Sequence, residues 1–248
     1  MEQNTQAPLP RAVSDGSKLD IFDIFPTVQG EGTMQGVPAI FIRLSGCNLQ
    51  CPLCDTEYTD GAENMALAEV LRVVSEYWKE NSAVKLAVLT GGEPFRQNIF
   101  PLIMGLLELG LIVQVESNGK LDPIIPDGAN LAVLVRRGQL HITLAPKTAR
   151  ISEMLEKLAN CYKYPVSAAE PLLDDGIPRR VLDHPLPVGA KVSRPRSDYK
   201  GPVYLFPEDT GSTAELDKST NMIIEAVLSR RKYMLLAGIQ AHKIWGVG

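Results

Sequence analysis

With 248 residues, 45% of them apolar, the chain can bury one sizeable core, hiding roughly 70–75% of its unfolded surface, and one α/β domain is the natural expectation. The formal net charge of −4 argues against a broad basic face for nucleic acid, so no direct nucleic-acid binding is expected. No apolar run reaches the roughly 18 residues of a membrane span, and the polar start MEQNTQAPLPRAVSDGSK lacks a signal-peptide centre, so a cytoplasmic protein with a flexible extension over residues 1–18 is expected.

Ile21–Phe25 and Ala39–Leu44 read as short strands, rich in β-branched and aromatic residues. Between them the glycine-dense QGEGTMQG reads as a turn carrying backbone groups near a ligand. From Leu67 to Trp78 the apolar positions Leu67, Val70, Leu71, Val74, Tyr77 and Trp78 recur at helical spacing. Leu86–Leu89 is a short apolar run ending at Thr90-Gly91-Gly92, as a buried parallel strand does. A helix near Phe100–Leu109 stops at Gly110 as its C-cap, and the strand Ile112–Val115 runs into Glu116-Ser117-Asn118-Gly119. The alternation continues through Leu131–Val135, Leu140–Leu144, a helix near Ser152–Leu158 and a strand at Tyr162–Val166. Residues 168–202, richer in Pro, Asp and Arg, read as a long surface loop or irregular insert in a single domain spanning residues 19–248. A strand at Val203–Phe206, a helix from Thr213 to about Arg231 and a strand at Tyr233–Leu236 complete the chain. Repeated strand–helix units imply a parallel sheet, open or curled into a barrel, with ligands at the carboxyl ends of its strands.

Three of the four cysteines, Cys47, Cys51 and Cys54, have the spacing C-x3-C-x2-C, too crowded for a disulfide framework and suited to metal. Thiolates are soft ligands for iron–sulfur clusters and for zinc. A [4Fe–4S] cube commonly takes four cysteines, so three local ones leave an iron open to a small molecule. A closed zinc site wants a fourth Cys or His, and His141, His184 and His242 are distant in sequence. Cys161 reads as a buried small hydrophobe. The second motif, Thr90-Gly91-Gly92-Glu93-Pro94, follows a strand: its glycines let a ligand approach the backbone, and Glu93 can accept hydrogen bonds from an ammonium group. Alone, it is equally an ordinary strand-to-helix turn.

Taken together, the cysteine spacing and the GGEP segment resemble the radical S-adenosylmethionine (SAM) superfamily. That resemblance implies a partial TIM-like β/α barrel, a [4Fe–4S] cluster on Cys47, Cys51 and Cys54, and SAM bound to the open iron. The stretches Phe25–Gly32 and Gly36–Leu44 narrow it, looking like the 7-carboxy-7-deazaguanine synthase family of queuosine-type biosynthesis. Members of that family are lyases that contract 6-carboxy-5,6,7,8-tetrahydropterin to 7-carboxy-7-deazaguanine with loss of ammonia. The resemblance further implies a flavodoxin-like reductant, a 5′-deoxyadenosyl radical that removes hydrogen from the substrate, Mg2+ and a homodimer.

Residue by residue, it implies that Arg43 pairs with the substrate carboxylate through its bidentate fork. Val28, Gln29, Gly30 and Glu31 would meet the pterin edge, and Thr90, His242 and the final Gly248 would also contact substrate. Thr56 matches the magnesium ligand, a hard oxygen donor. Leu53, Cys54, Asp55, Gly92, Glu93, Glu116, Ser117, Ala145, Pro146 and Lys147 correspond to SAM contacts, with Leu53 where relatives often carry an aromatic and Ala145 where they often carry Ser. The C-terminal Gln240-Ala241-His242-Lys243 resembles the family's Q-T-H-K. Two other readings stay open at this level: another radical SAM enzyme such as a glycyl-radical activase, and a non-catalytic iron–sulfur or zinc module.

Overall fold

Apolar runs and alternation account for most of the nine strands and six helices found among the described residues. The computed structural model describes residues 3–81, 83–209, 211–229 and 232–247. Its strands are β1 (Lys18–Val28), β2 (Pro38–Leu44), β3 (Glu63–Ala66), β4 (Leu86–Gly91), β5 (Ile112–Ser117), β6 (Leu140–Leu144), β7 (Ala159–Val166), β8 (Pro202–Pro207) and β9 (Met234–Ala237). The helices are α1 (Leu67–Glu80), α2 (Phe100–Glu108), α3 (Leu131–Arg136), α4 (Glu153–Leu158), α5 (Thr213–Leu228) and the short α6 (Ala241–Trp245). One sheet runs in the order β3-β1-β2-β4-β5-β6-β7-β8-β9. It is an open, partial β/α barrel with β3 and β9 at its edges.

Every neighbouring pair from β2 to β9 is parallel, so these strands all end at one rim. The first two strands depart from the all-parallel expectation: β1 pairs antiparallel with both β2 and β3. The cause is the short QGEGTMQG link, which closes a hairpin where a parallel crossover would need a dozen residues or more. The polar β3 lacks an alternating pattern and could not be read in advance.

Period-2 alternation gives the sheet two unlike faces. Toward the helices point Ile40, Ile42, Leu44, Ala87, Leu89, Val113, Val115, Ile142 and Leu144, all in the main hydrophobic core. From α1 the core takes Val70 and Val74, and from α2 Leu102, Ile103 and Leu106. Opposite them the inner face carries a small apolar layer, Ala39, Leu86 and Val88, and then polar side chains toward the rim. Helix ends follow local chemistry. Ser152 caps α4 by accepting from the Leu155 N–H, and Asn130 caps α3 by accepting from the Ala132 N–H. Gly110, at φ +86°, ends α2 with the Leu111 N–H donating to the Leu106 carbonyl, the Schellman arrangement.

Two irregular stretches are not what composition suggests. Residues 168–202 hold only an isolated bridge, Leu172–Pro178, yet they deliver Ile177, Val181 and Val192 into the core. The N-terminal stretch, expected to be flexible, is laid against the cysteine loop by hydrogen bonds such as Asn4 N to Pro52 O at 2.9 Å and Leu9 N to Cys47 O at 2.7 Å. Among the described residues no helix is long and apolar enough to cross a membrane.

Candidate active site

A cavity of about 540 Å³ opens at the rim where the parallel strands end. Wall residues come from β2 (Phe41, Arg43), β4 (Thr90), β5 (Glu116), β7 (Lys163) and β8 (Phe206), so the sheet curls around it. Above the rim the loop after β2 contributes Cys47, Cys51, Leu53, Cys54, Asp55 and Thr56. Most of the expected site residues thus meet in one place: Val28, Gln29, Glu31, Gly92, Ser117, Ala145, Lys147 and His242 also face the cavity.

All the cysteines are free thiols. Burial pushes Cys47 up to about 12 and Cys51 up to about 11, and it raises Cys54 too. Cys47 also feels the other two thiols electrostatically. Among the described residues no three His, Cys, Asp or Glu side chains close on one point as a single-ion site would require. Cys51 Sγ lies 3.5 Å from His184 Nδ1, a contact made by residues 168–202, but His184 is joined there by no second imidazole or carboxylate. Cys47, Cys51 and Cys54 share one cavity, and as soft thiol donors they fit an iron–sulfur cluster, in which each cysteine would take its own iron.

The GGEP segment is tied closely into the fold around it. An added Cβ on Gly92 would lie 2.0 Å from the Gly46 carbonyl oxygen, so this glycine first serves to let β4 reach the cysteine loop. That approach is locked by the Glu93 N–H donating to Gly46 O at 2.9 Å. Glu93 itself is fully buried and outside the cavity wall. Its carboxylate accepts from Ser117 Oγ at 2.7 Å, Asn118 N at 2.8 Å and Phe95 N at 3.1 Å. Burial pushes its pKa up to about 7, against the pull of those three donors. Glu93 therefore ties the end of β4 to the end of β5 beneath the site. Next to it, Arg96 donates to Ser45 O at 3.0 Å and Asp20 Oδ2 at 3.2 Å.

On the inner face, Arg43 sits over the Phe25 ring at 5.0 Å, a cation–π contact, and pairs in register with Thr90. Farther round lies a charged floor in which the expected Glu31 and Glu116 meet Lys163, which sequence reasoning missed. Lys163 Nζ stands 2.6 Å from Glu31 Oε2 and 3.0 Å from Glu116 Oε2. Gln240 donates to Glu31 Oε1 at 3.0 Å, and Gln29 donates to Glu116 Oε1 at 3.1 Å and to Gln114 Oε1 at 3.0 Å. Burial opposes the charge on Lys163, but the two carboxylates outweigh it and hold the ammonium above its ordinary value. Burial likewise opposes ionisation of Glu31, and Lys163 prevails, keeping it below the usual carboxylate range.

The C-terminal segment closes the far side. Gly30 is not part of the wall: a Cβ there would lie 2.4 Å from His242 Nδ1, and Ala241 N donates to Gly30 O at 3.1 Å. Lys243 Nζ reaches Asp55 Oδ2 at 2.8 Å and Asp209 Oδ2 at 3.4 Å, joining α6, the cysteine loop and the end of β8. Pro146 is buried behind the wall, and Gly248 lies outside the described residues. The end of β8, with Phe206, Glu208 and Asp209 in the wall, carried no motif that could have announced it.

No family model matches the chain. Among curated proteins it is 34% identical over 232 residues to the 7-carboxy-7-deazaguanine synthase of Rhodospirillum rubrum, covering 93% of each chain. It is 44% identical over 115 residues to the same-named enzyme of Rickettsia prowazekii, covering 45% of this chain and 49% of that one. A crystal structure of QueE from Escherichia coli superposes with a TM-score of 0.59 at 24% identity, over 89% of this chain and 93% of that one, which speaks for the fold. Because the first of these likenesses runs nearly end to end through both proteins, the chain belongs to the 7-carboxy-7-deazaguanine synthase family.

Proposed function

We propose that this cavity carries out the family's ring contraction, converting 6-carboxy-5,6,7,8-tetrahydropterin to 7-carboxy-7-deazaguanine with release of ammonia. The observation that carries the reading is the meeting of three free thiols, Arg43 and a buried carboxylate floor around one cavity. A [4Fe–4S] cluster held by Cys47, Cys51 and Cys54, together with SAM, supplies one-electron chemistry for hydrogen removal from the substrate, with a flavodoxin-like protein as reductant. Arg43, braced on Phe25, offers its N–H fork to the substrate carboxylate. Glu31, held ionised by Lys163, and Glu116, salt-bridged to the same lysine, face the N–H-bearing edge of the pterin, with Thr90 beside Arg43. Thr56 offers a hydroxyl to Mg2+, and Leu53, Asp55, Gly92, Ser117, Ala145 and Lys147 line the space for SAM. The protein's part is to hold the reactants in register and keep water out. The same reading makes the enzyme cytoplasmic and homodimeric.

The test is anaerobic incubation of the reduced, reconstituted protein with SAM, magnesium and the tetrahydropterin. Deazaguanine product is expected; SAM cleavage without it would assign the chain to another radical SAM branch. Arg43→Lys, which loses the planar fork, is expected to raise the substrate KM roughly 10-fold or more and leave SAM affinity unchanged. Equal loss of both would remove Arg43 from the substrate role.

A further inference from the structure

We propose that residues 3–12 form a strap that is a working part of the cysteine site, fixing the loop that carries Cys47, Cys51 and Cys54 and covering its outer side. The proposal rests on the reading of those cysteines as cluster ligands. The loop from residue 45 to residue 62 contains no helix or strand. Its backbone groups therefore need partners from elsewhere, and a loop without them opens readily.

The strap supplies those partners. Asn4 donates from its backbone N–H to Pro52 O at 2.9 Å and from Nδ2 to Cys51 O at 3.1 Å. Gln6 bridges two points: Nε2 donates to Thr56 O at 2.9 Å, and Oε1 accepts from Tyr58 N at 2.8 Å. Leu9 N donates to Cys47 O at 2.7 Å. The carbonyls of two ligand cysteines and of Thr56 are thus all held by the first ten residues. Little apolar surface competes as an explanation, because Asn4 and Gln6 are half-buried while their neighbours Thr5, Ala7 and Pro8 are exposed. Amide side chains aimed inward at alternate positions make a polar clasp, not a hydrophobic anchor. The strap's other end is pinned by Ala12 N donating to Arg96 O at 2.8 Å and by Arg96 donating to Pro10 O at 3.4 Å. Arg96 also grips Ser45 O, so the strap and the start of the cysteine loop hang on one guanidinium.

Asn4 and Gln6 are positioning residues: they act on the cluster through the backbone of its ligands. Two variants test this in the full-length protein, deletion of residues 2–10 and the double substitution Asn4→Ala/Gln6→Ala. In the metal-free protein, alkylation of individual cysteines is followed by mass spectrometry, with Cys161, fully buried on β7, as internal reference. Labelling of Cys47 and Cys51 is expected to speed up roughly tenfold, the effect of losing one or two net hydrogen bonds, with Cys161 labelling and the melting temperature unchanged. In the reconstituted protein, loss of cluster absorbance to a chelator should accelerate by a similar factor. Unchanged labelling in both variants would overturn the strap. Should the deletion also expose Cys161, general unfolding is the cause and the double substitution decides. Because alkylation is read without a cluster, a wild-type protein that takes up no cluster would sink the cluster reading while the labelling rates still judge the strap's hold on the loop.

Discussion

Two lysines in this site each stand between two carboxylates, and they differ almost only in depth. Lys163, with 5% of its side chain exposed, lies between Glu31 and Glu116, at 12% and 17%. Lys243, 32% exposed, lies between Asp55 and Asp209, at 43% and 48%. The Coulomb attraction of a charge pair grows several-fold from solvent to a partly desolvated interior, and so does the cost of leaving one member alone. The floor is therefore a fixed arrangement whose charges can be neither rotated away nor dropped singly. The rim clasp is soft, joining three pieces of chain through ion pairs that water reaches. A single charge pattern serves one end of the cavity as rigid scaffold and the other as loose tie.

Breaking the deep member should have the largest effect. Lys163→Met leaves two buried carboxylates facing each other, and unfolding free energy in denaturant is expected to fall by about 3–5 kcal/mol. The comparison sharpens with Glu31→Gln and Glu116→Gln added to it, because a neutral floor removes the stranded charge. Stability should then largely return while product formation does not, since the carboxylate edge proposed to face the substrate is gone. A loss below about 1 kcal/mol for Lys163→Met alone would place this lysine in the energetic class of surface pairs and end the contrast.

Glu93 extends the contrast to a buried carboxylate that forms no salt bridge among the described residues, with only the weak pull of Arg11 on its charge. Its folded pKa of about 7 lies above its ordinary value of 4.5, so the folded protein holds this proton where the unfolded chain has released it. Stability from this group is full below pH 4.5, falls as pH rises toward about 7, and is flat above, a span on the order of 3 kcal/mol. Glu93→Gln should abolish that dependence: relative to wild type, the metal-free variant gains stability as pH increases across this window. Parallel pH curves for the two proteins would mean that the three donors win over burial and that Glu93 is ionised throughout.

How far this was legible depends on how locally each feature is encoded. The strand–helix order is written in runs such as Leu86–Leu89 within β4, and the cysteine loop carries its chemistry in one short motif. What escaped is encoded by partners far apart in sequence. Lys163 stands out only as a lone charge inside the otherwise apolar Tyr162–Val166, and Glu31, which explains it, is 132 residues away. The polar edge strand β3 and the short α6 have no periodic pattern to read, since tertiary contacts hold them in place. Glu93 was legible as important but not as to why. A GGEP segment looks the same whatever its carboxylate meets, and here it accepts from Phe95 N in its own turn and from Ser117 Oγ and Asn118 N at the end of β5.

The rim clasp should give the smallest effect, and its salt dependence distinguishes it from the floor. Burial works against the Asp55 carboxylate, yet the Lys243 ammonium holds it below its ordinary value. Even so, water and counterions reach all three side chains, which limits the pair to about 0–1 kcal/mol. Lys243→Met is therefore expected to leave the unfolding midpoint within a degree or two and to change kcat/KM only a few-fold at low ionic strength. Raising salt to the point where the screening length is about 3 Å, near 1 M, should bring wild type and variant together. The Lys163→Met defect should largely persist under the same salt, because charges this little exposed are screened far less. If instead the Lys243→Met defect survives at high salt, α6 and the cysteine loop are held by more than charge, and the clasp belongs with the scaffold rather than among screened surface pairs.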